Sequence, residues 1–377
     1  MSLSPSEVDL VARTRAFARE RLTPAAAEWS AAAVAELQRE AATLGLTRIE
    51  VPTADGGLGF GFACKARVCE ALAAVDFGFA LSVVNTHNVA HKIAGFARPE
   101  AKAGLLPELL DGRASACTAL TEPHAGSDFF AIATRARPEA KGWVLEGEKT
   151  WIVNGRNAAL ALVYAQCAEP GDRDGIGAFV VDLRDSTVER YAIDAAVSQT
   201  SIQTGGFRLR GYHAQSDALI LPPGEAFRSI LTEINGARCY VAAMCCGLLD
   251  AALAVCAAYG QERKSFGKPL AGHQAWRFAL ARAESDLAAA RALTRQAEAV
   301  FLAGDDTQLL AAQAKLVASA ACERHLPNLL HAMGAEGLRT SHPFVRHCGA
   351  AALARLVDGS DEMLLERVAR LARPTRH

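Results

Sequence analysis

The sequence predicts an α+β protein in which an N-terminal helical domain and a C-terminal four-helix-type bundle flank a central antiparallel β domain. Three observations support this fold class. Alanine-rich helical periodicity runs to about residue 113, strand-like alternation of polar and apolar residues follows, and helical periodicity returns from about residue 228. We expect the domains to span residues 1–115, 116–226 and 227–377.

The β domain is predicted from several short alternating segments separated by turn residues. Alternation begins at Trp143 and continues to Ile152, where Asn154-Gly155 follows, a pair favoured in tight hairpins. Three further segments share this pattern, namely 176–183, 188–194 and 205–212. Together they predict a small, mostly antiparallel sheet.

The C-terminal bundle is predicted from apolar residues that recur every three or four positions. One stripe consists of Trp276, Leu280, Ala283, Leu287, Ala290, Ala297 and Phe301. This spacing places the stripe on one face of a helix, as packing in a bundle requires. Pro327 is expected to end or kink a later helix, because proline removes a backbone donor.

Composition excludes several classes of function. The chain has 377 residues with 40 Lys and Arg against 41 Asp and Glu, so no basic excess is available to neutralise nucleic acid phosphates. Its ten cysteines show no metal-ligand spacing and are expected to be core thiols, so no metal site is predicted. The first 22 residues lack the pattern of a secretory signal, so we expect a cytoplasmic protein. The apolar run 239–249 is too short for a membrane span, so we expect it to lie in a buried helix.

The stretch 119–128, ALTEPHAGSD, carries proline, glycine and serine within five positions. Pro123 and Gly126 forbid a continuing helix or regular strand and free backbone N–H groups to face another partner. That partner is either a polar ligand or the backbone of a simple hairpin corner.

Five segments in order resemble the acyl-CoA dehydrogenase family of flavoenzymes. They are ALTEPHAGSD (119–128), EKTWIVNG (148–155), ERKSFGKPLAGHQ (262–274), MGAEG (333–337) and VDGSDE (357–362). The family's helical, β and helical layout is the one predicted above. The resemblance covers nearly the whole chain and implies FAD as cofactor.

The resemblance implies a set of FAD contacts. Arg263, Ser265, Phe266 and Gln274 match positions that reach the FAD of a neighbouring subunit. The other matching positions are Leu120, Thr121, Gly126, Ser127, Trp151, Ile152, Val153, His331, Gly334, Ser360 and Glu362. Trp151 matches the aromatic residue that covers the isoalloxazine ring, whereas Val153 replaces a threonine that often contacts flavin N5.

The family reaction removes the α-proton of an acyl thioester and transfers a β-hydride to flavin N5. The family base is usually a glutamate, and Asp358 stands in its place with a side chain one methylene shorter. Some relatives carry the base at the position of Ala237, one turn after Glu233. Asp358 and Glu233 are therefore both candidate catalytic carboxylates.

The candidate substrate-binding residues are Ser127, Arg238, Gly359, His87 and Asn88. Arg238 matches an arginine near the thioester, and a salt bridge within the bundle is the alternative. His87 and Asn88 lie where the family's acyl cavity is lined, and with Asn235 they indicate a short or polar acyl group. A structural role for His87 is the alternative.

The resemblance further implies partners and competing functions. A coenzyme A or acyl-carrier-protein thioester is the expected substrate, electron-transferring flavoprotein is the expected acceptor, and a homodimer or homotetramer is the expected assembly. Two alternatives stay open. One is a flavin oxidase or monooxygenase of the same fold, since nitroalkane-oxidising relatives use an aspartate at the position of Asp358. The other is a non-catalytic flavoprotein subunit.

Overall fold

The computed structural model describes residues 3–22, 29–168, 173–194 and 199–372. The N-terminal helices are α1 (Pro5–Arg21), α2 (Ala31–Thr43), α3 (Phe62–Ala73), α4 (Phe77–Phe96) and α5 (Pro99–Leu110). Helix α1 begins with a reciprocal cap, in which the Ser4 hydroxyl accepts from Glu7 N–H and the Glu7 carboxylate accepts from Ser4 N–H at 2.8 Å. Helix α4 is almost wholly buried and forms the centre of this region.

Among the residues that the structure describes, the central sheet has eight strands. They are β1 (Ala116–Ala119), β2 (Arg135–Glu139), β3 (Gly142–Ile152), β4 (Leu160–Gln166), β5 (Ile176–Asp182), β6 (Val188–Ala192), β7 (Gly205–Gln215) and β8 (Leu219–Leu221). Seven strands follow the order β6-β7-β3-β2-β4-β5-β8, and β1 pairs with β4. All pairs are antiparallel except β4 with β1 and β4 with β2, so the expected mostly antiparallel sheet is confirmed.

The tight hairpin expected at Asn154-Gly155 is not formed. Strand β3 pairs with β2 and β7, whereas β4 pairs with β1, β2 and β5. Asn154 does adopt the left-handed conformation, with φ of 63°, but its amide is buried and donates to the carbonyls of Ser82 (2.8 Å) and Ala116 (3.0 Å). The asparagine thus joins the sheet to α4 instead of closing a hairpin, a role that depends on residues distant in sequence.

The C-terminal part contains α6 (Glu225–Glu262), the short strands β9 (Lys264–Ser265) and β10 (Lys268–Pro269), then α7 (Gln274–Leu302), α8 (Gln308–Met333), α9 (Phe344–Ala354) and α10 (Asp361–Ala372). The predicted stripe of α7 faces the core, with Leu280 and Phe301 half-buried and the other members buried. Pro327 does not end its helix, because α8 continues through it to Met333.

Helix α6 is the structural centre of the C-terminal part. In the described ranges it is the one helix long and apolar enough to cross a bilayer by length and composition, and 67% of its most apolar window is buried inside the protein. The apolar run 239–249 lies within it and is buried throughout, which confirms the predicted buried helix. Helices α3, α7 and α8 pack around α6.

Candidate active site

Asp358 lies in the tight turn between α9 and α10. Its φ is 55° and that of Gly359 is 107°, so two consecutive residues adopt left-handed backbone conformations. Two cations from the bundle hold this turn. Arg238 Nε of α6 donates to the Asp358 carbonyl at 3.1 Å, and Lys315 Nζ of α8 donates to the Gly359 carbonyl at 2.5 Å. The turn is therefore fixed by side chains from two helices.

The surroundings of Asp358 shift its titration. Burial raises the pKa of its carboxyl above the ordinary aspartate value, the positive charges of Lys315 and Arg238 oppose that shift, and the negative charge of Glu233 adds to it. Burial also lowers the pKa of Lys315 to about 8 and that of Arg238 to about 10. A carboxylate with a raised pKa and nearby cations has the properties of a general base.

Glu233 occupies a different environment on α6. Its carboxylate lies 3.4 Å from Lys92 Nζ of α4, and Lys92 also donates to the Ser229 hydroxyl. Ala237, the position that carries the base in some relatives, is buried one turn further along the helix. The half-buried Glu233 carboxylate is therefore paired with the buried Lys92, whereas the Asp358 carboxylate forms no ion pair within the described part of the chain.

The loop 119–128 is anchored by a buried ion pair. Lys149 Nζ of β3 donates to Glu122 Oε1 at 2.7 Å and to the Leu120 carbonyl at 3.0 Å. The Glu122 carboxylate also accepts from the N–H groups of Ala133 (2.7 Å) and Thr134 (3.0 Å). Burial lowers the pKa of Lys149 to about 8, while the hydrogen bonds and Lys149 hold the pKa of Glu122 below its usual value despite burial.

Several predicted cofactor residues lie in the loop 119–128 and at the end of β3. The Thr121 carbonyl accepts from Thr150 N–H at 3.1 Å, which places Thr121 beside the last residues of β3. Trp151 is 62% exposed with φ of 57°, an uncommon conformation for a bulky residue. Gly126 and Ser127 are exposed, whereas Ile152 is buried and Val153 half-buried.

A second group of predicted cofactor residues lies at the protein surface after α6. Phe266, at the tip of the β9–β10 hairpin, is 95% exposed with φ of 47°, and Arg263 and Gln274 are also exposed. Ser265 is half-buried, with its carbonyl 3.0 Å from His273 Nε2. His331 and Gly334 are exposed at the C-terminal end of α8. Ser360 and Glu362 stand at the start of α10, next to Asp358.

The predicted substrate residues differ in their placement. Arg238 Nη1 donates to Asn235 Oδ1 at 2.8 Å in addition to holding Asp358, so the guanidinium is engaged within the protein. His87 is fully buried, and its Nε2 accepts from Glu50 N–H at 3.1 Å. Burial lowers the pKa of His87 to about 3, so the ring is neutral. This placement favours a structural role for His87. Asn88 is buried and donates to the Tyr240 hydroxyl at 3.3 Å.

Three lysines near the site escaped the sequence prediction. Lys149 lies in the segment 148–155, which resembles the family, but no function was predicted for it. A lysine within a strand pattern indicates a buried partner. Lys315 falls on the apolar spacing 311, 315, 318 and 322 of α8, and this position indicates a buried cation. Lys92 carries no comparable local signal, because its partner Glu233 lies on another helix.

Comparison with known proteins places these observations in a family. Three family models match in order: the acyl-CoA dehydrogenase N-terminal domain at residues 4–113, the middle domain at 117–211 and the C-terminal domain at 224–372. Human mitochondrial short-chain specific acyl-CoA dehydrogenase is 29% identical over 364 residues, which cover 94% of this chain and 87% of that protein.

Solved structures agree with the sequence comparison. Butyryl-CoA dehydrogenase from Megasphaera elsdenii matches with a TM-score of 0.91 at 26% identity, covering 99% of this chain and 100% of that one. A glutaryl-CoA dehydrogenase from Mycobacterium smegmatis in complex with FADH2 matches with a TM-score of 0.90 at 26% identity, covering 100% and 97% respectively. The predicted fold class is thereby confirmed. The chain belongs to the acyl-CoA dehydrogenase family, and it is an FAD-dependent oxidoreductase of the type that acts on CH–CH groups.

Proposed function

We propose that the protein catalyses α,β-dehydrogenation of an acyl thioester with Asp358 as the base that takes the α-proton. The observation that carries this assignment is the turn at Asp358, which Arg238 and Lys315 hold through its two carbonyls. A positioned carboxylate is needed because a thioester α-proton is too weakly acidic for a free one. Desolvation raises the pKa of this half-buried carboxyl, and the charges of Lys315 and Arg238 oppose that shift and favour the ionised form.

Glu233 supports this base without replacing it in our proposal. Its carboxylate is already paired with Lys92 at 3.4 Å, and protonating it would leave a buried lysine without its counter-charge. The negative charge of Glu233 raises the pKa of Asp358, which increases its affinity for the proton. Glu233 is thus a positioning residue that tunes Asp358 through charge.

The residues on the flavin side fit FAD. An indole that is 62% exposed at the end of a strand offers a flat apolar face to a ring system, and the open space around Gly126 allows backbone to approach a phosphate. Thr121 and Ser127 would supply donors, and the exposed Phe266 and Arg263 would serve the FAD of a neighbouring subunit. FAD, when bound there, would supply the acceptor for the hydride from the β-carbon.

The chain's own residues then divide the remaining work. Asp358 accepts the α-proton as the thioester carbonyl gains enolate character, and its backbone N–H is the protein donor expected at that oxygen. Arg238 and Lys315 hold the backbone of the turn that carries the carboxylate, which limits the positions that the shorter aspartate side chain can take. Trp151 and the loop anchored by Lys149 exclude water from the reacting face.

Membership of the family supports a proposal for the carrier and partners. We propose an acyl-CoA or acyl-carrier-protein thioester as substrate, electron-transferring flavoprotein as acceptor, and a cytoplasmic homodimer or homotetramer. Phe266, which is 95% exposed at a hairpin tip, supports a subunit contact. Covering such an apolar side chain with another surface lowers the free energy of the assembly. Domain boundaries at residues 115 and 226 complete the proposal.

The test is anaerobic flavin bleaching. The purified yellow protein is mixed with short acyl-CoA and acyl-carrier-protein thioesters, and Asp358→Asn, Glu233→Gln and the exposed control Asp305→Asn are compared with wild type. We expect Asp358→Asn to abolish bleaching, Glu233→Gln to slow it, and Asp305→Asn to leave it unchanged. Loss only in Glu233→Gln would move the base to α6. Absence of bleaching in every protein would refute the proposed reaction and direct attention to nitroalkanes and oxygen uptake.

A further inference from the structure

The turn that carries Asp358 is bounded by one charged residue on each side. Arg355 is the C-terminal cap of α9, and Asp361 is the first residue of α10. The helix dipole favours a cation at a C-terminus and an anion at an N-terminus, so each side chain lies where its own helix stabilises its charge. Asp358 lies midway along the chain between the two residues.

Arg355 and Asp361 form an ion pair that closes the turn. Arg355 Nε donates to Asp361 Oδ2 at 2.5 Å, and the Asp361 side chain is only 15% exposed. Arg355 Nη1 donates to the carboxylate of Glu323 on α8, the helix that also carries Lys315. An isolated exposed pair contributes little, but here one guanidinium joins two carboxylates from different helices. The turn is therefore closed on itself and also tied to α8.

Side-chain packing gives this side of the turn little support. A cavity of about 360 Å³ opens between α8, α9 and α10. Arg355, Asp361 and Glu323 line it, together with the small side chains of Ala351 and Ala352. Since no described residue fills this space, packing does not restrain the turn from that direction. Among the residues that the structure describes, the charged contacts of Arg355 are what restrain the turn on its cavity side.

The backbone of the turn needs such a restraint. Asp358 and Gly359 both have positive φ angles, and an aspartate adopts this conformation less readily than an extended or helical one. Arg238 and Lys315 bind the carbonyls of these two residues, but neither contact fixes the distance between the ends of the turn. If the ends separated, the Asp358 backbone could relax, and its carboxylate would shift.

We propose that Arg355 is a positioning residue for the candidate base and that it acts by closing the Asp358 turn through Asp361. This inference rests on the proposed function, in which Asp358 takes the α-proton. Arg355 affects the reaction only through the position of that carboxylate. The reaction is sensitive to this contact because displacing a catalytic group by about 1 Å can slow a reaction about 100-fold.

The test measures flavin bleaching without oxygen in the FAD-loaded protein, with butyryl-CoA, isobutyryl-CoA and glutaryl-CoA as thioesters. Rates are expressed per bound flavin, and their dependence on thioester concentration separates the limiting rate from the half-saturating concentration. We expect Arg355→Met to lower the limiting rate by about tenfold or more and to change the half-saturating concentration by less than about twofold, because it displaces the base and leaves the binding surface intact.

Three further variants accompany Arg355→Met. Asp361→Asn should also lower the limiting rate, because it removes the charge that Arg355 binds. Arg355→Lys keeps the charge but cannot bind two carboxylates as a planar fork does, so its loss should be smaller than that of Arg355→Met. The matched control is Arg370→Met, which removes an exposed pair with Glu366 on the same α10 helix and should leave the limiting rate unchanged.

A double variant shows whether the two residues act as a pair. If they do, Arg355→Met with Asp361→Asn should be slower than the slower single variant by no more than about twofold, whereas losses that multiply would overturn the assignment. A merely structural role would lower the yield of FAD-loaded protein and leave the rate per flavin at the wild-type value, which would overturn it too. Asp361→Asn remains informative if Arg355→Met does not fold. Bleaching that is equal in wild type and Arg355→Met refutes this inference alone, while no bleaching of wild type by any of the thioesters refutes the proposed function as well.

Discussion

The buried pair between Glu122 and Lys149 allows a sharp test of how the flavin loop is held. The carboxylate of Glu122 is 1% exposed and the Lys149 side chain is fully buried. Oε1 accepts from Lys149 Nζ and Thr134 N–H, and Oε2 accepts from Ala133 N–H. In Glu122→Gln the new amide group must face one of these donors in either orientation. The substitution therefore removes the counter-charge of Lys149 and also creates a clash between two donors.

We expect Glu122→Gln to lower the free energy of unfolding by about 3–5 kcal/mol, as breaking a buried ion pair does. The matched control is Glu146→Gln, because Glu146 pairs with Arg137 at 3.2 Å with both side chains 65% exposed. An exposed pair of this kind contributes about 0–1 kcal/mol.

Urea denaturation of the three proteins gives the free energy of unfolding, and FAD titration of the apoproteins gives the dissociation constant of the cofactor. Because Lys149 also holds the Leu120 carbonyl, Glu122→Gln should weaken FAD binding while Glu146→Gln should not. Equal losses in the two variants, or a Glu122→Gln protein with wild-type stability and FAD affinity, would show that this pair does not anchor the loop.

Three further expectations follow from the structure. Since Asp358 must be ionised to accept a proton and burial raises its pKa, kcat/KM should fall as the pH falls through a value above the ordinary aspartate pKa; a pH profile with no such acid limb would contradict this. In urea denaturation, Gly247→Ala should lower the free energy of unfolding by about 1–3 kcal/mol, because the added Cβ would lie 2.3 Å from the Glu70 carbonyl oxygen of α3. Gly95→Ala should raise it by up to about 1 kcal/mol, because open space surrounds that position. Phe266→Ser should change the free energy of unfolding of an isolated chain by less than about 0.5 kcal/mol, because the ring is 95% exposed, yet reduce subunit association in sedimentation; unchanged association would count against the proposed contact.

The order and type of the structural elements were determined by the sequence itself. Helical and strand periodicities are local properties, so the α7 stripe and the buried run in α6 could be recognised from spacing alone. Five short segments in order were sufficient to identify the family, because each carries residue types that its chemistry requires. Asn154-Gly155 shows the limit of this reasoning, since a turn signal does not specify which strands are joined.

The tertiary structure alone decided the environment of each functional side chain. Asp358 and Glu233 are both carboxylates in sequence, but only the folded chain pairs Glu233 with Lys92 and surrounds Asp358 with Arg238 and Lys315. These contacts join residues more than 40 positions apart, and the pKa of a carboxyl depends on how far it is buried and which charges surround it. Neither property is encoded locally, so the distinction between a base and an ion-pair partner appears only when the helices are packed.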